Sequence, residues 1–238
     1  MLVEVIIPFR DRGKDPLRQL NLVRVLEHWE TEHGLSPYVC TDGRRDDEQF
    51  NRSAAYNRGI QHAHPDTDVY VFAESDMLIR PEQIEDAVKE ADQMSGLVVP
   101  FTEYRYMGAA ASERIRAGRD PEDFIAEWMM KDGRSIGAIN VVSRRTMDMI
   151  GRWDENFEGS WYDDDAMRIA FELCTSNDTR FIEGQAHHLY HLPGWKGEHR
   201  SAADKAAVKA NRLRLQAFKY ARDTSNVALV RRLLRGDM

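Results

Sequence analysis

Strand-like and helix-like segments alternate over the first hundred residues, and the apolar strands run out into charge. The strand-like runs are Leu2–Pro8, Pro37–Thr41, Asp68–Ala73 and Gly96–Phe101, and the helix-like segments between them are Pro16–His33, Arg52–Ala63 and Glu82–Met94. Leu17, Leu20, Val23 and Leu26 recur at every third position and predict the apolar stripe of the first helix. Pro81 stands where the third helix should start. The alternation predicts an α/β fold, a Rossmann-like and mostly parallel sheet flanked by helices. Ligands bind such sheets outside the carboxyl ends of the strands. Pro8-Phe9-Arg10, Thr41-Asp42-Gly43 and Glu74-Ser75-Asp76 all fall at those ends, and the shared placement says more than any one motif.

The run Val69-Tyr70-Val71-Phe72-Ala73 leads straight into Glu74 and Asp76. Two carboxylates one residue apart at a strand end offer the oxygen ligands that a hard divalent cation takes. Alone, so short a pattern is equally a solvated strand end. It gains weight from the histidines His187, His188 and His191, of which His188 and His191 could each supply an imidazole to Mn²⁺ or a similar ion. On a strand, His187 faces away from His188.

Arg10 and Arg12, after the first strand, could grip a diphosphate through their guanidinium forks or belong to a charged surface loop. Asp42 could accept from a ribose hydroxyl or a nucleobase N–H, or form an ordinary Asp-Gly turn. Asn51 is a good helix N-cap. Arg52 then puts a cation in the first turn, against the helix dipole, which a bound anion would explain.

The second half is less regular. Residues 104–135 are polar and predict helices and a connection, followed by a β-run Ala138–Val142, a helix Arg144–Ile150 and a loop from Gly151 to Gly159. A helix opens at Asp163 and runs to about Leu173, and Thr179–Ile182 and Gln185–Tyr190 read as short strands. Asp163-Asp164-Asp165 therefore lies in a first helical turn, where the dipole favours negative charge. Adjacent carboxylates repel, which raises some of their pKa values and suits a general base. Because helix N-terminal acids also serve structure, at most two of the three are functional. Trp153 and Trp161 could stack on sugar rings or anchor their loop, and Trp195 sits in a Pro-Gly-Trp-Lys-Gly stretch suited to a flap.

With 238 residues, 42% of them hydrophobic, the chain makes one large domain, or one plus an appendage. Cys40 and Cys174 are too few for a disulfide framework and lie in apolar stretches, which predicts a reducing, cytoplasmic setting. The chain opens on a strand, with no basic-then-apolar leader, and no apolar run approaches the roughly 20 residues that span a bilayer. The net charge of -7 is uneven: residues 200–238 hold ten Lys/Arg against three Asp, leaving -14 on the rest. Such a basic, helical tail is a solvated outer face or a dock for an anionic surface at a membrane periphery. There is no strong nucleic-acid signal.

Ile6-Ile7-Pro8-Phe9-Arg10-Asp11-Arg12, Phe50-Asn51-Arg52 with Asn57-x-Gly59, Val71–Asp76, Gly137–Ser143 and Gly151–Asp165 occur in an order that resembles the A-type fold glycosyltransferases. The similarity is to the β-1,4-galactosyltransferase-like group within the inverting family-two enzymes, over residues 3–192. It implies a nucleotide-diphosphate sugar as donor, a UDP-sugar first, held by Pro8, Phe9, Arg10, Arg12, Asp42, Arg52, Glu74, Ser75 and Asp76. It implies Mn²⁺ or Mg²⁺ on Asp76, His188 and His191, and an acceptor glycan, protein or other hydroxyl-bearing molecule on Trp161, Tyr162 and Asp164. The base is Asp163 if the three acids are aligned directly, and Asp164 if the spacing to Arg168 sets the register. The organisation implied is a transferase domain over 1–199, with a donor half (1–101) and an acceptor and metal half (102–199), and a basic helical extension over 200–238. Glu74 replaces the family's first Asp, and Ser160-Trp161-Tyr162 replaces its Gly-Gly-Glu. A sugar nucleotidyltransferase would want a glycine-rich loop after the first strand, where only Gly13 stands; a non-catalytic sugar- or nucleotide-binding module would not need Asp76, Asp163 and His191.

Overall fold

The apolar runs assemble as their periodicity predicts. The computed structural model describes residues 1–13, 15–131, 136–192 and 201–237. Its first half contains β1 (Val3–Pro8), α1 (Pro16–Thr31), β2 (Tyr38–Cys40), α2 (Arg52–His62), β3 (Val69–Ala73), β4 (Met77–Ile79), α3 (Pro81–Gln93) and β5 (Val98–Val99). Then come β6 (Glu103–Tyr106), α4 (Ala109–Arg116), a 3-10 turn (Pro121–Asp123), β7 (Trp128–Met130), β8 (Ile139–Ser143) and α5 (Arg144–Ile150). The chain continues through α6 (Asp163–Thr175), β9 (Arg180–Phe181), β10 (Gln185–His188), α7 (Ala202–Asp223) and α8 (Val227–Arg235). The flap expected around Trp195 lies outside the described residues.

Six strands form the main sheet in the order β2-β1-β3-β8-β5-β9. Only β8 runs against its neighbours β3 and β5; the other strands share one direction, so the sheet is mostly parallel. Every residue of β3 is buried, which is why this central strand reads as an unbroken apolar run rather than an alternating one. A second sheet has the order β4-β10-β6-β7. Glu74-Ser75-Asp76 is the crossover between the two sheets, because β3 belongs to the first and β4 to the second. The polar stretch from residue 103 onward supplies β6 and β7 as well as α4, and Glu103-Tyr104-Arg105-Tyr106 pairs on both sides, with β10 and β7.

The first helix corrects its predicted stripe. Leu20 and Val23 are 51% and 57% exposed, and the buried face is Asn21, Leu22, Arg24, Val25, His28 and Trp29. The polar members of that face are paired: Asn21 donates to Tyr190 O at 3.2 Å, Arg24 Nε donates to Ile115 O at 3.1 Å, and His28 Nε2 lies 2.7 Å from Ile79 O. A buried polar group with a partner costs little, so partners rather than hydropathy select the face. Gly59 lets α2 approach β1: a Cβ there would sit 2.4 Å from Ile6.

The basic extension is built into the domain. Leu215, Phe218, Ala221, Val230, Leu233 and Leu234 of α7 and α8 belong to the same core as the sheet, while Arg212, Arg222 and Arg231 face outward. Arg214 pairs with the fully buried Asp154 at 2.5 Å. No described helix is long and apolar enough to cross a membrane.

Candidate active site at the junction of the sheets

Asp76 leaves β3 and turns into β4, and β10 pairs with β4 so that His188 lies opposite Met77. That register brings His188 beside Asp76. The following segment is pinned from four sides: Leu189 N donates to Asp76 O, Tyr190 N to Ser112 Oγ, Leu192 N to Asp15 Oδ2, and Asn21 Nδ2 to Tyr190 O. His191 Nε2 is thereby held 3.1 Å from Asp76 Oδ2, and His188 Nε2 lies 3.8 Å from Asp76 Oδ1. Ligand atoms of the three residues all lie within 4.8 Å of one another. His187, as expected, faces the other way and is 2% exposed.

The donor set fits a divalent cation. Buried Asp76 Oδ1 has no hydrogen-bond partner. His191 Nδ1 lies 2.8 Å from Leu192 O and donates to it, so a neutral ring presents its Nε2 lone pair to Asp76. Two acceptors at 3.1 Å need a proton or a cation between them, and metal-bound histidines commonly donate their other N–H to a carbonyl in this way. Burial pushes the His188 pKa down to about 4, which keeps its imidazole neutral. Burial also disfavours a charged Asp76, but His188, His191 and Arg18 outweigh it and hold the carboxyl below its usual range.

Glu74 turns to a different corner. Arg52, in the first turn of α2, donates to Glu74, to Asp163 Oδ2 at 2.5 Å and to Asp164 Oδ1 at 2.5 Å. The cation that opposes its helix dipole thus meets three carboxylates of the protein itself rather than waiting for a bound anion. Three acids on one guanidinium cannot all ionise freely. Burial, then Asp163 and Glu74, raise the Asp164 pKa to about 7 against the pull of Arg52. Burial and the acids Asp76 and Asp163 raise that of Glu74 as well. Asp165 is exposed, so two of the three acids enter the cluster.

The backbone here is strained. Ala138, Trp161 and Tyr162 have φ of 79°, 79° and 76°, a region that non-glycine residues rarely adopt. Ala138 is the apex of a tight turn in which Ile139 N donates to Gly137 O at 3.0 Å. Gly137 makes room for the carboxylate: a Cβ on it would lie 2.6 Å from Asp164 Oδ2 and displace it. Trp161 and Tyr162 make two consecutive left-handed residues without glycine. Strain of this kind gathers at functional sites.

Other predicted donor residues are placed differently. Asp42 accepts from Arg10 Nη2 at 3.2 Å and from Asn51 N at 2.8 Å, and its side chain is wholly buried. Arg10 also donates to Glu48 O and Arg45 O, so the pair ties the loops after β1 and β2 together. Arg12 Nε is buried without a partner. Pro8 and Ser75 are buried, and Phe9 N continues the ladder to Cys40 O. Asn51 and Asn57 latch α2 to Glu155 O and Trp153 O. Trp153 packs among Tyr56, Phe72 and Phe171 as a core anchor, whereas Trp161 is 49% exposed. Sequence reasoning passed over Arg18, 3.9 Å from Asp76, and Tyr106, whose ring lies 5.0 Å from His188. Neither stands in a motif; only the strand-end placement of their neighbours could have drawn attention to them.

No family model matches the chain, and no curated protein matches it in sequence. In structure it is similar to a Drosophila β-1,4-galactosyltransferase 7 mutant solved with manganese, UDP-Gal and xylobiose (16% identity over 75% of this chain and 63% of that one, TM-score 0.50). It is similar to the catalytic domain of the Drosophila enzyme with xylobiose (13% identity, 87% and 79% covered, TM-score 0.53). A third likeness is to GalNAc-T7 with UDP, GalNAc and Mn²⁺ (13% identity, 99% and 54% covered, TM-score 0.53). The chain spans 63% of the length of the first of these. Five co-directed strands, one reversed strand and a second small sheet meeting at an acidic crossover are, in this chain, the A-type glycosyltransferase fold.

Proposed function

We propose that the protein is a metal-dependent glycosyltransferase that moves a sugar from a nucleotide-diphosphate sugar, UDP-linked first, to an acceptor hydroxyl with inversion. One observation carries this reading: Asp76, His188 and His191 form a cation-ready corner beside the Arg52 carboxylate cluster, at the carboxyl edge of the sheet. Asp76, His188 and His191 would hold a Mn²⁺ or Mg²⁺ ion, which when bound would supply charge to neutralise the departing diphosphate. Arg12 and Arg18 add positive charge on that side.

Asp164, with its pKa near 7, accepts the acceptor's proton. The acceptor oxygen bonds to the anomeric carbon as the bond from that carbon to the diphosphate breaks, so one displacement inverts the centre. Asp163 and Arg52 orient Asp164, which favours it over Asp163 as the base. Exposed Trp161 and neighbouring Tyr162 offer an aromatic surface for the acceptor, whether a glycan, a protein or another hydroxyl-bearing molecule. The donor half (1–101) and the acceptor and metal half (102–199) remain our division of the site. Arg10 and Asp42 support it from behind. The buried Cys40 and Cys174 suit a cytoplasmic protein, and the outward arginines of α7 and α8 suit a peripheral anionic surface.

Incubation with a panel of nucleotide sugars and Mn²⁺ tests the reading. It requires release of nucleoside diphosphate that stops when the metal is chelated. Pyrophosphate release from a nucleoside triphosphate and a sugar phosphate would mark a nucleotidyltransferase, and binding without turnover a non-catalytic module.

A further inference from the structure

Asn211 lies on α7, beyond the segment that resembles any glycosyltransferase motif, and its side chain reaches the loop that enters α6. It is 2% exposed. Its Nδ2 donates to Glu158 O at 2.8 Å, Ser160 O at 3.2 Å and Trp161 O at 3.2 Å, and its Oδ1 accepts from Glu158 N at 3.2 Å. An amide has two hydrogens and one carbonyl oxygen, so both its donor and its acceptor are spent on three residues of one loop, Glu158, Ser160 and Trp161. Three residues along the same helix, Arg214 holds Asp154 at the start of that loop through bonds of 2.5 and 3.0 Å, and also donates to Leu233 O of α8 at 2.7 Å.

The bonds fall where the backbone needs holding. Trp161 and Tyr162 are consecutive left-handed residues without the freedom of glycine, and the next residue is Asp163. A turn of this kind persists when its surroundings over-determine it. Release of the turn would rotate the first turn of α6 and with it Asp163 and Asp164, while Asp76, His188 and His191 are fixed by α1, α4 and β4 instead.

We infer that Asn211 is a positioning residue for transfer: by clamping the backbone of residues 158–161 it sets Asp164 and the Trp161–Tyr162 pair for the acceptor, and leaves the metal corner alone. This rests on the glycosyltransferase reading above. The C-terminal helices are then part of the acceptor machinery rather than an appended tail.

The test combines Asn211→Ala and Asn211→Leu in the full chain, the latter keeping the size of the side chain while losing every bond to the loop and burying no charge. Hydrogen exchange at the amides of residues 158–166 should accelerate in both variants. Transfer should slow by about 10- to 100-fold, with Mn²⁺-dependent donor affinity unchanged. The cost of Asn211→Ala should shrink in a Tyr162→Gly background, where glycine adopts the turn unaided. Unchanged exchange, donor affinity that falls in step with transfer, or equal costs in both backgrounds would overturn the inference. If the wild-type protein transfers no sugar, the functional reading fails; the exchange rates and their dependence on Tyr162 still decide the clamp. If Asn211→Ala does not fold, Asn211→Leu carries both readouts.

Discussion

Glu74 and Asp76 stand one residue apart at one strand end, yet they serve opposite electrostatic corners. Around Asp76, two imidazoles and Arg18 face a single carboxylate, which stays ionised and keeps an unpartnered oxygen. Around Glu74, three carboxylates share Arg52, and the surplus of negative charge holds a proton near neutrality. On the proposed reading, the carboxylate with the cationic and neutral partners serves as a ligand, and one of the acids that outnumber their cation serves as the proton acceptor. Groups whose surroundings push their pKa values apart mark a division of chemical labour. The supports differ too. The first corner hangs on α1, α4 and the β4–β10 register, and the second on α2 and the loop that α7 clamps.

The largest effect should come from breaking the first corner. Asp76→Ala should abolish Mn²⁺-supported binding of nucleoside diphosphate in a folded protein; retained binding would erase the distinction between the corners. Next, Asp164→Asn should bind donor and metal normally but transfer sugar about 10² to 10⁴ times more slowly. Steady-state transfer beside donor affinity decides this, and a dead Asp163→Asn with an active Asp164→Asn would move the base to Asp163. Smaller losses are expected from the imidazoles. His191→Ala should weaken Mn²⁺ by about 10- to 100-fold, with His188→Ala below it; calorimetry that finds wild-type affinity in both would make the cluster structural. The mildest signature is pH. A carboxyl whose pKa rises from 3.8 to about 7 on folding binds its proton more tightly in the native state. The contribution of Asp164 to stability should therefore fall as pH climbs from about 4 to about 7, so the stability of the wild type relative to Asp164→Asn should decline over that range. Transfer should climb over the same limb as the base loses its proton.

Much of the first half was legible because its signals are local. Periodicity located β1, β3, α2 and α3 within a residue or two, and the carboxyl-edge rule placed residues 74–76 at the site. What was hidden depended on partners far along the chain. The buried face of α1 is polar because Asn21 and His28 meet carbonyls on other elements, and no hydropathy pattern contains that information. Arg52 looked like an anion site because its acids lie more than a hundred residues away in α6, apart from Glu74. The crossover was invisible because Met77-Leu78-Ile79 is as apolar as the strand before it. Arg214 was absorbed into a charge count and the neutral Asn211 between the charges drew no notice, although both point inward.

The most direct test is a thermal-shift series with nucleoside diphosphates and their sugars, each with and without Mn²⁺, on the wild-type protein and Asp76→Ala. A ligand at 100 times its Kd adds about 2.7 kcal/mol to stability. The account predicts that one nucleotide family stabilises the wild-type protein only when Mn²⁺ is present, and that Asp76→Ala loses the shift while it melts cooperatively. Stabilisation that is indifferent to Mn²⁺, or that survives in Asp76→Ala, would contradict it.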